Sequence, residues 1–501
     1  RVRLAQKKSN EALRHLDSYL KSQPQAVDAY ELKIEVLEQL GRKNEVLPML
    51  KSYAERDVHN LALQLLVAGR FAKEKEFAEA EKRFLGVVSE SPSPEAYLGL
   101  FSLFQAENKM DKAVEMLDGS LAKARGNDKT PADASSALRA RTMLGVLRDH
   151  PELVKAVLLV AQKEIGRRER TRETWQFLAA LAGHAKQLDA AERLYLHCMK
   201  LLQALDQRER NEFEHQVYSG LLEVQFKLKK YDDVIVWSRK GLKECEAVHR
   251  LLLHDYLFRA LAQQGKFDGA LGELDEAIKA AGPEHQLYFR RTRTTVLSMA
   301  GKHDEAAKEC RELLERATKP EDLRDVRYTL SGIYTAAKKF KEAEEQLRAI
   351  LETDPSDDVA NNDLGYIMAD QNKNLDEAEK LIRKALELDR AQRSEKADKN
   401  KVKVDVDGDQ DRASYIDSLG WVLFRKGQVD EARKELERAV KLPSGDDPVL
   451  WDHLGDVYLR LGQKDQARTA FLKANELYEN ERRRRRDDQY RELQRKLKLL
   501  K

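Results

Sequence analysis

Near its C-terminal end the chain states one pattern twice at one spacing. The last copy reads Trp451-x2-Leu454-Gly455-x2-Tyr458, then Ala467-x3-Phe471-x2-Ala474. The copy before it reads Leu419-Gly420-x2-Leu423, then Ala432-x3-Leu436-x2-Ala439. Steps of three and four place these residues on one face of a helix, so each copy predicts a pair of helices. Gly455 and Ala467 are small where the two helices approach, and Trp451, Leu454, Tyr458 and Phe471 fill the space around them. A hairpin of this size cannot bury its apolar face alone and has to stack on copies of itself.

The pattern continues toward the N-terminus. Leu364-Gly365 with Ala378, Ile382 and Ala385 forms a unit with one extra residue in its turn, within Asp370–Asn374. Leu330-Ser331 with Tyr334, Ala343, Leu347 and Ile350 forms the one before, and Trp175-x2-Leu178-Ala179 with Ala191, Tyr195 and Cys198 is a clear earlier unit. Where the register is clean, units recur every ~34–36 residues, and this helical pattern resembles the tetratricopeptide repeat. The fold it implies is an all-α right-handed superhelical solenoid of about twelve hairpins with a C-terminal capping helix. Gly41, Gly265, Gly301, Gly427 and Gly462 fall in the turns within hairpins, where a left-handed backbone is favoured.

The reading divides the chain into a solenoid over 1–389, a charged insertion loop over 390–412, two last units over 413–478 and a charged capping helix over 479–501. Residues 125–170 and 211–245 keep helical patterns but match the motif poorly. The irregular connection through Gly126-Asn127-Asp128 and Thr130-Pro131 is the candidate boundary between two solenoid halves. The insertion has little to bury and is read as a surface loop.

Of the 501 residues 35% are charged and 42% hydrophobic, a balance that suits long exposed helices. The formal net charge of +3 gives no global case for nucleic acid or an anionic membrane. Cys198, Cys245 and Cys310 form no CxxC pair, and Cys198 and Cys310 fall on core places, as inert buried thiols do. No run approaches the ~20 apolar residues of a membrane helix. Ala12, Leu16, Tyr19 and Pro24 match the second helix of a hairpin, so the repeat phase predicts that an N-terminal piece precedes Arg1.

From Asn361 to Tyr478 the chain resembles bacterial envelope-associated tetratricopeptide proteins. The strings that carry the resemblance are Asp363-Leu-Gly-Tyr-Ile-Met-Ala, Leu375-Asp-Glu-Ala-Glu, Ile382-Arg-Lys-Ala-Leu, Asp417-Ser-Leu-Gly-Trp-Val-Leu-Phe and His453-Leu-Gly-Asp-Val-Tyr. The resemblance implies a lipoprotein or periplasmic protein that presents partners to one another. It makes the envelope the expected location in preference to the cytoplasm, and an envelope processing protease or assembly complex the expected partner. A second copy of the chain is a further candidate partner.

The sequence holds no HExxH, phosphate loop or nucleophile elbow, so no enzyme and no cofactor is expected. His249 and His254 have ligand-like spacing, which a long helical array also produces by chance. Asp405-x-Asp407-Gly408-Asp409-x-Asp411 offers alternating oxygens to a hard cation. Its glycine, however, lies between the second and third acids and no bidentate Glu follows, so a solvated acidic loop is the reading. Arg482–Arg486, with Lys396, Lys399, Lys401 and Lys403, supports the alternative of a nucleic-acid-binding solenoid. Glu479, Glu481, Asp487, Asp488 and Glu492 offset that run. Tyr490, Leu493, Leu497 and Leu500 share one helical face, which favours a capping helix.

The concave face is where a partner is expected. Its lining places give Tyr328, Tyr366, Trp421 and Phe424, with Asp417, Asp452 and Asp456 beside them. The aromatics suit an apolar peptide wall and the acids would select a basic or N-terminal segment. The competing reading has the aromatics buried against the next hairpin. The expected function is a non-catalytic scaffold or adaptor that binds a partner protein or peptide.

Overall fold

The first helices of the hairpins start at strong local signals. Ser93, Thr171, Asp206, Asp357 and Asp447 cap them by accepting a backbone N–H from the first turn. Pro94, Pro151, Pro283, Pro320 and Pro448 open helices at their first position, where the missing N–H costs nothing. The computed structural model describes residues 8–125, 132–245, 250–400, 411–442, 444–480 and 488–500, with the side chains of 212, 396–400 and 480 outside the description. Among these residues every regular element is helical.

The chain divides into two compact units, Arg1–Lys230 and Tyr231–Lys501. The first holds α1 (Ser9–Ser22), α2 (Val27–Gln39), α3 (Val46–Arg56), α4 (Leu61–Lys73), α5 (Phe77–Glu90), α6 (Pro94–Ala106), α7 (Met110–Arg125), α8 (Ala134–Asp149), α9 (Pro151–Glu164), α10 (Arg172–His184), α11 (Leu188–Leu202) and α12 (Gln207–Lys227). The second holds α13 (Tyr231–Glu244), α14 (Arg250–Gln263), α15 (Phe267–Ala280), α16 (Pro283–Met299), α17 (His303–Arg316), α18 (Pro320–Ala336), α19 (Phe340–Thr353), α20 (Asp358–Asp370), α21 (Leu375–Asn400), α22 (Ala413–Arg425), α23 (Val429–Ala439), α24 (Pro448–Arg460), α25 (Lys464–Asn480) and α26 (Asp488–Leu499). Within each unit successive helices pack as the stacked hairpins of an all-α solenoid, and α26 caps the last pair. The division falls in the weakly patterned stretch near Tyr231; residues 126–131, the candidate boundary in the sequence, lie outside the described residues.

The hairpin turns repeat one device. Gly427 takes φ 84° and Gly462 φ 75°. In the second of these the Gln463 N–H reaches back to the Tyr458 carbonyl at 2.9 Å, closing a Schellman motif. Lys75, Asn108, Lys186, Lys229, Lys338 and Asn372 adopt the same left-handed backbone in turns that lack a glycine. Only Gly, and at some strain Asn or Lys, serves there, so glycine alone marked half of the turns in the sequence.

The core follows the repeat. A Cβ on Gly455 would come within 2.3 Å of the Phe471 ring, one on Gly420 within 2.6 Å of Leu436, and one on Gly365 within 2.7 Å of Ile382. Each glycine is therefore fixed by the close approach of its own hairpin partner. In the first unit Gly220 does the same against Tyr195, on α11 of the hairpin before it. Cys198 and Cys310 are buried, and burial pushes their thiols up to about 12 and about 11, which keeps them unreactive at neutral pH.

The insertion departs from the loop expected of it. Helix α21 continues through Asn400, so residues 390–400 are helical. Helix α25 also runs on to Asn480, two residues into the segment assigned to the cap.

Candidate partner-binding site

Helices α20, α22 and α24 are the first helices of the last three hairpins. On α22, Asp417, Trp421 and Phe424 are spaced by four and three residues and share one face. On α24 the corresponding places are Asp452 and Asp456, and on α20 the place of Trp421 is taken by Tyr366.

These side chains form one cluster, and a residue the sequence reading did not count joins its centre. His453 stacks on Trp421 with ring centroids 4.0 Å apart and planes 13° from parallel. Phe424 stacks on Trp421 at 5.3 Å, and Tyr366 lies 6.3 Å from His453. The His453 Nδ1 is 2.9 Å from the Asp417 carboxylate. Burial alone would lower the pKa of His453. The attraction of Asp417, reinforced by Asp452 and Asp456, outweighs burial and raises it. In its protonated form the ring donates from Nδ1 to Asp417.

Exposure separates the members. Trp421 is 7% exposed, Asp417 4% and Asp452 8%. Phe424, Tyr366, Tyr328 and Asp456 are half-buried. Trp421 therefore packs against the next hairpin through His453 and is not an open wall. Its indole N–H is buried with no hydrogen-bond partner among the described residues.

The acids of α24 are already engaged. Lys496, on α26, donates to both Asp452 oxygens at 3.0 Å and to Asp456 at 2.7 Å. The same ammonium lies 5.4 Å from the centre of the Phe471 ring. Burial raises the pKa of Asp452 despite the attraction of Lys496, and the like charge of Asp456 adds to the rise. Three carboxylates thus share one lysine and one histidine. Leu493 of α26 is fully buried against Ala467, Phe471, Ala474 and Tyr478, with Tyr490, Leu497 and Leu500 partly buried around it. Asp488 at the start of α26 pairs with Lys338, in the turn between α18 and α19, at 2.5 Å.

Tyr328 stands apart from this cluster. Its hydroxyl donates to Asp357, the capping residue of α20, and Arg324 approaches the same carboxylate at 3.7 Å. It fixes the start of a helix.

A second charged cluster lies at the roots of the insertion. Asp411, read from sequence as part of a solvated acidic loop, is 8% exposed. It accepts from Arg390 at 2.9 and 2.5 Å, from Arg393 at 2.9 Å and from Arg438 at 2.5 Å. Its carboxyl is held far below the usual range, chiefly by the Arg390 hydrogen bond. Arg412 beside it pairs with Asp389 at 2.9 Å and stacks over Tyr415, whose hydroxyl donates to Asp358 at 2.9 Å. This clamp was not legible in the sequence, because a charged run looks the same whether or not its ends find partners.

The remaining charge motifs lie outside the described residues: Arg482–Arg486, Lys401, Lys403, Asp405, Asp407, Asp409 and His249, with the side chains of Lys396 and Lys399. His254 pairs with Glu273 at 3.3 Å. Among the described residues no group of three or more His, Cys, Asp or Glu could hold a metal ion, and no helix is long and apolar enough to cross a membrane.

Comparison with known proteins places the repeats. The tetratricopeptide repeat family model matches residues 1–45, 257–322, 333–393 and 418–481. No curated protein matches the chain. Yeast Tom70 is similar in structure, at 14% identity and a TM-score of 0.39, over 95% of this chain and 95% of its own. The Cut9–Hcn1 hetero-tetramer of the APC/C is similar at 14% identity and a TM-score of 0.37, over 99% of this chain and 94% of its own.

Proposed function

We propose that the last three hairpins, which the tetratricopeptide repeat model matches over 333–393 and 418–481, hold a partner segment along α20, α22 and α24. The general function is that of a non-catalytic protein–protein interaction scaffold. The observation that supports the site is the Trp421–His453 stack, set among three carboxylates and edged by the half-buried Tyr366, Phe424 and Asp456. The rigid stack is a floor, and the half-buried residues are the part a partner can reach. An apolar floor edged by the half-buried Asp456 suits a segment that carries both aliphatic and basic side chains.

A bacterial envelope adaptor is the finer reading, and it rests on the strings between Asn361 and Tyr478 alone. Affinity capture with mass spectrometry tests both levels. Phe424→Ala and Asp456→Lys, checked for native helical content, are expected to lose the partner retained by the unaltered chain. Retention of the same partner by both variants would overturn the site, and a partner that is not an envelope protein would overturn the finer reading.

A further inference from the structure

Helix α26 has the marks of a ligand as well as those of a cap. Among its described residues the one fully buried side chain is Leu493. Its apolar residues recur as Tyr490, Leu493, Leu497 and Leu500, the three-and-four spacing of a helix laid on a groove. Its Lys496 ammonium is shared between Asp452 and Asp456 over the Phe471 ring. At this seat two carboxylates, Asp452 and Asp456, meet a single ammonium, with the Asp417–His453 pair beyond them.

We propose that the seat of α26 is a helix-binding site, and that α26 is its resident occupant, displaced by a partner's amphipathic helix. The partner helix carries a lysine six residues after an aromatic and three after an aliphatic side chain, as Lys496 follows Tyr490 and Leu493. This rests on the reading of α20, α22 and α24 as the partner face, and extends it to the end of the solenoid. Charge complementarity selects the occupant. A helix with a lysine at that register neutralises the acids at least as well as α26, while one with an acid there is repelled. A flanking second basic residue would meet the carboxylates that α26 leaves with least compensation. The resident helix sets a threshold, because a partner has to bind more tightly than the local, intramolecular competitor.

The test uses the full chain and a fluorescent peptide of residues 488–500 as the probe. In the unaltered chain the resident helix excludes the probe. In Leu493→Asp/Lys496→Gln the seat is vacated, and binding is expected to tighten at least tenfold by fluorescence anisotropy. Adding Asp452→Asn and Asp456→Asn to that background is expected to lose at least tenfold again, because the lysine has nothing to pair with. If the vacated variant keeps its helical content and binds the probe no better than the unaltered chain, α26 is a cap only and the proposal fails. If it loses its fold, Lys496→Gln alone, which keeps the apolar contacts, is expected to bind the probe at least threefold tighter, and no gain overturns the proposal. A concentration-dependent dimer of the unaltered chain that Leu493→Asp dissociates assigns the seat to a second copy and overturns the partner helix. The probe reads the seat directly, so probe binding with an unchanged capture in the Phe424 and Asp456 variants separates this inference from the wider partner site.

Discussion

Two buried acid clusters lie within the last three hairpins, and their chemistry runs in opposite directions. At the insertion's roots, Asp411 is met by Arg390, Arg393 and Arg438, each in reach of a carboxylate oxygen. At the last hairpin, Asp452 and Asp456 are met by a single lysine on α26. The arginines of the first cluster belong to α21 and α23, so the clamp cannot open without parting helices of two hairpins. The lysine of the second belongs to α26, which can leave while every hairpin stays folded. The first arrangement fixes architecture and the second is exchangeable. Burial is similar in both; what differs is whether the counter-charge is held by the body of the fold.

The largest test is on the floor shared by the exchangeable site. Trp421→Ala removes a buried ring stacked on His453 and Phe424, and is expected to cost about 3–5 kcal/mol, read from chemical denaturation. A cost below about 1 kcal/mol would show that Trp421 is not core, and the site would then be open along its whole length.

Next comes a direct contrast between the clusters. Asp411→Asn removes the carboxylate three guanidiniums share, though Arg393 keeps Asp389 and Arg438 keeps Glu435, and is expected to cost about 3 kcal/mol, at the low end for a buried pair because those arginine side chains are 31–50% exposed. Lys496→Gln is expected to cost about 1 kcal/mol, because it keeps the apolar contacts of α26 and the partly exposed acids regain water where the ammonium stood. Equal costs for the two substitutions would break the comparison.

The smallest test is the pH dependence, where the two clusters differ in sign. The Asp411 pKa is lowered in the fold, so its stabilisation is full above the ordinary Asp range and is lost as pH falls through the folded value. The His453 pKa is raised, so its stabilisation is full below about 6.5 and is lost as pH rises through the folded value. Asp417, Asp452, Asp456 and Lys496 are the charged groups that face it. The Tm of the unaltered chain is expected to fall between pH 6 and 9 relative to that of His453→Gln. Parallel curves would show that His453 is not protonated in the fold.

Much of the fold was legible. The motif at Trp451–Ala474 and Leu419–Ala439 set the hairpins, and Gly365, Gly420 and Gly455 marked close approaches that the structure realises within 2.3–2.7 Å of a hypothetical Cβ. The turns carrying Lys75, Lys186 or Lys338 were not legible, because lysine has no preference for the left-handed backbone it adopts there. Of the site, Tyr366, Trp421, Phe424, Asp417, Asp452 and Asp456 were found at groove places and do gather, whereas Tyr328 holds the start of α20 instead. His453 and Lys496 were missed. His453 sits just before Leu454-Gly455, a place whose residue type signals nothing until its neighbour is known to be Asp417. Lys496 is one lysine among many on a charged helix.

The sequence by itself determined the repeat, the pairing of helices and the cap, because helical periodicity is a local property and an apolar face must be covered wherever it occurs. Only the tertiary structure decided which charges meet. Asp411 finds Arg390 and Arg438 at separations of 21 and 27 residues, and Lys496 finds Asp452 and Asp456 at 44 and 40. In a chain with 35% charged residues nearly every acid has many candidate bases. The choice among them is made by the register in which three or more helices stack, and no local periodicity encodes that register.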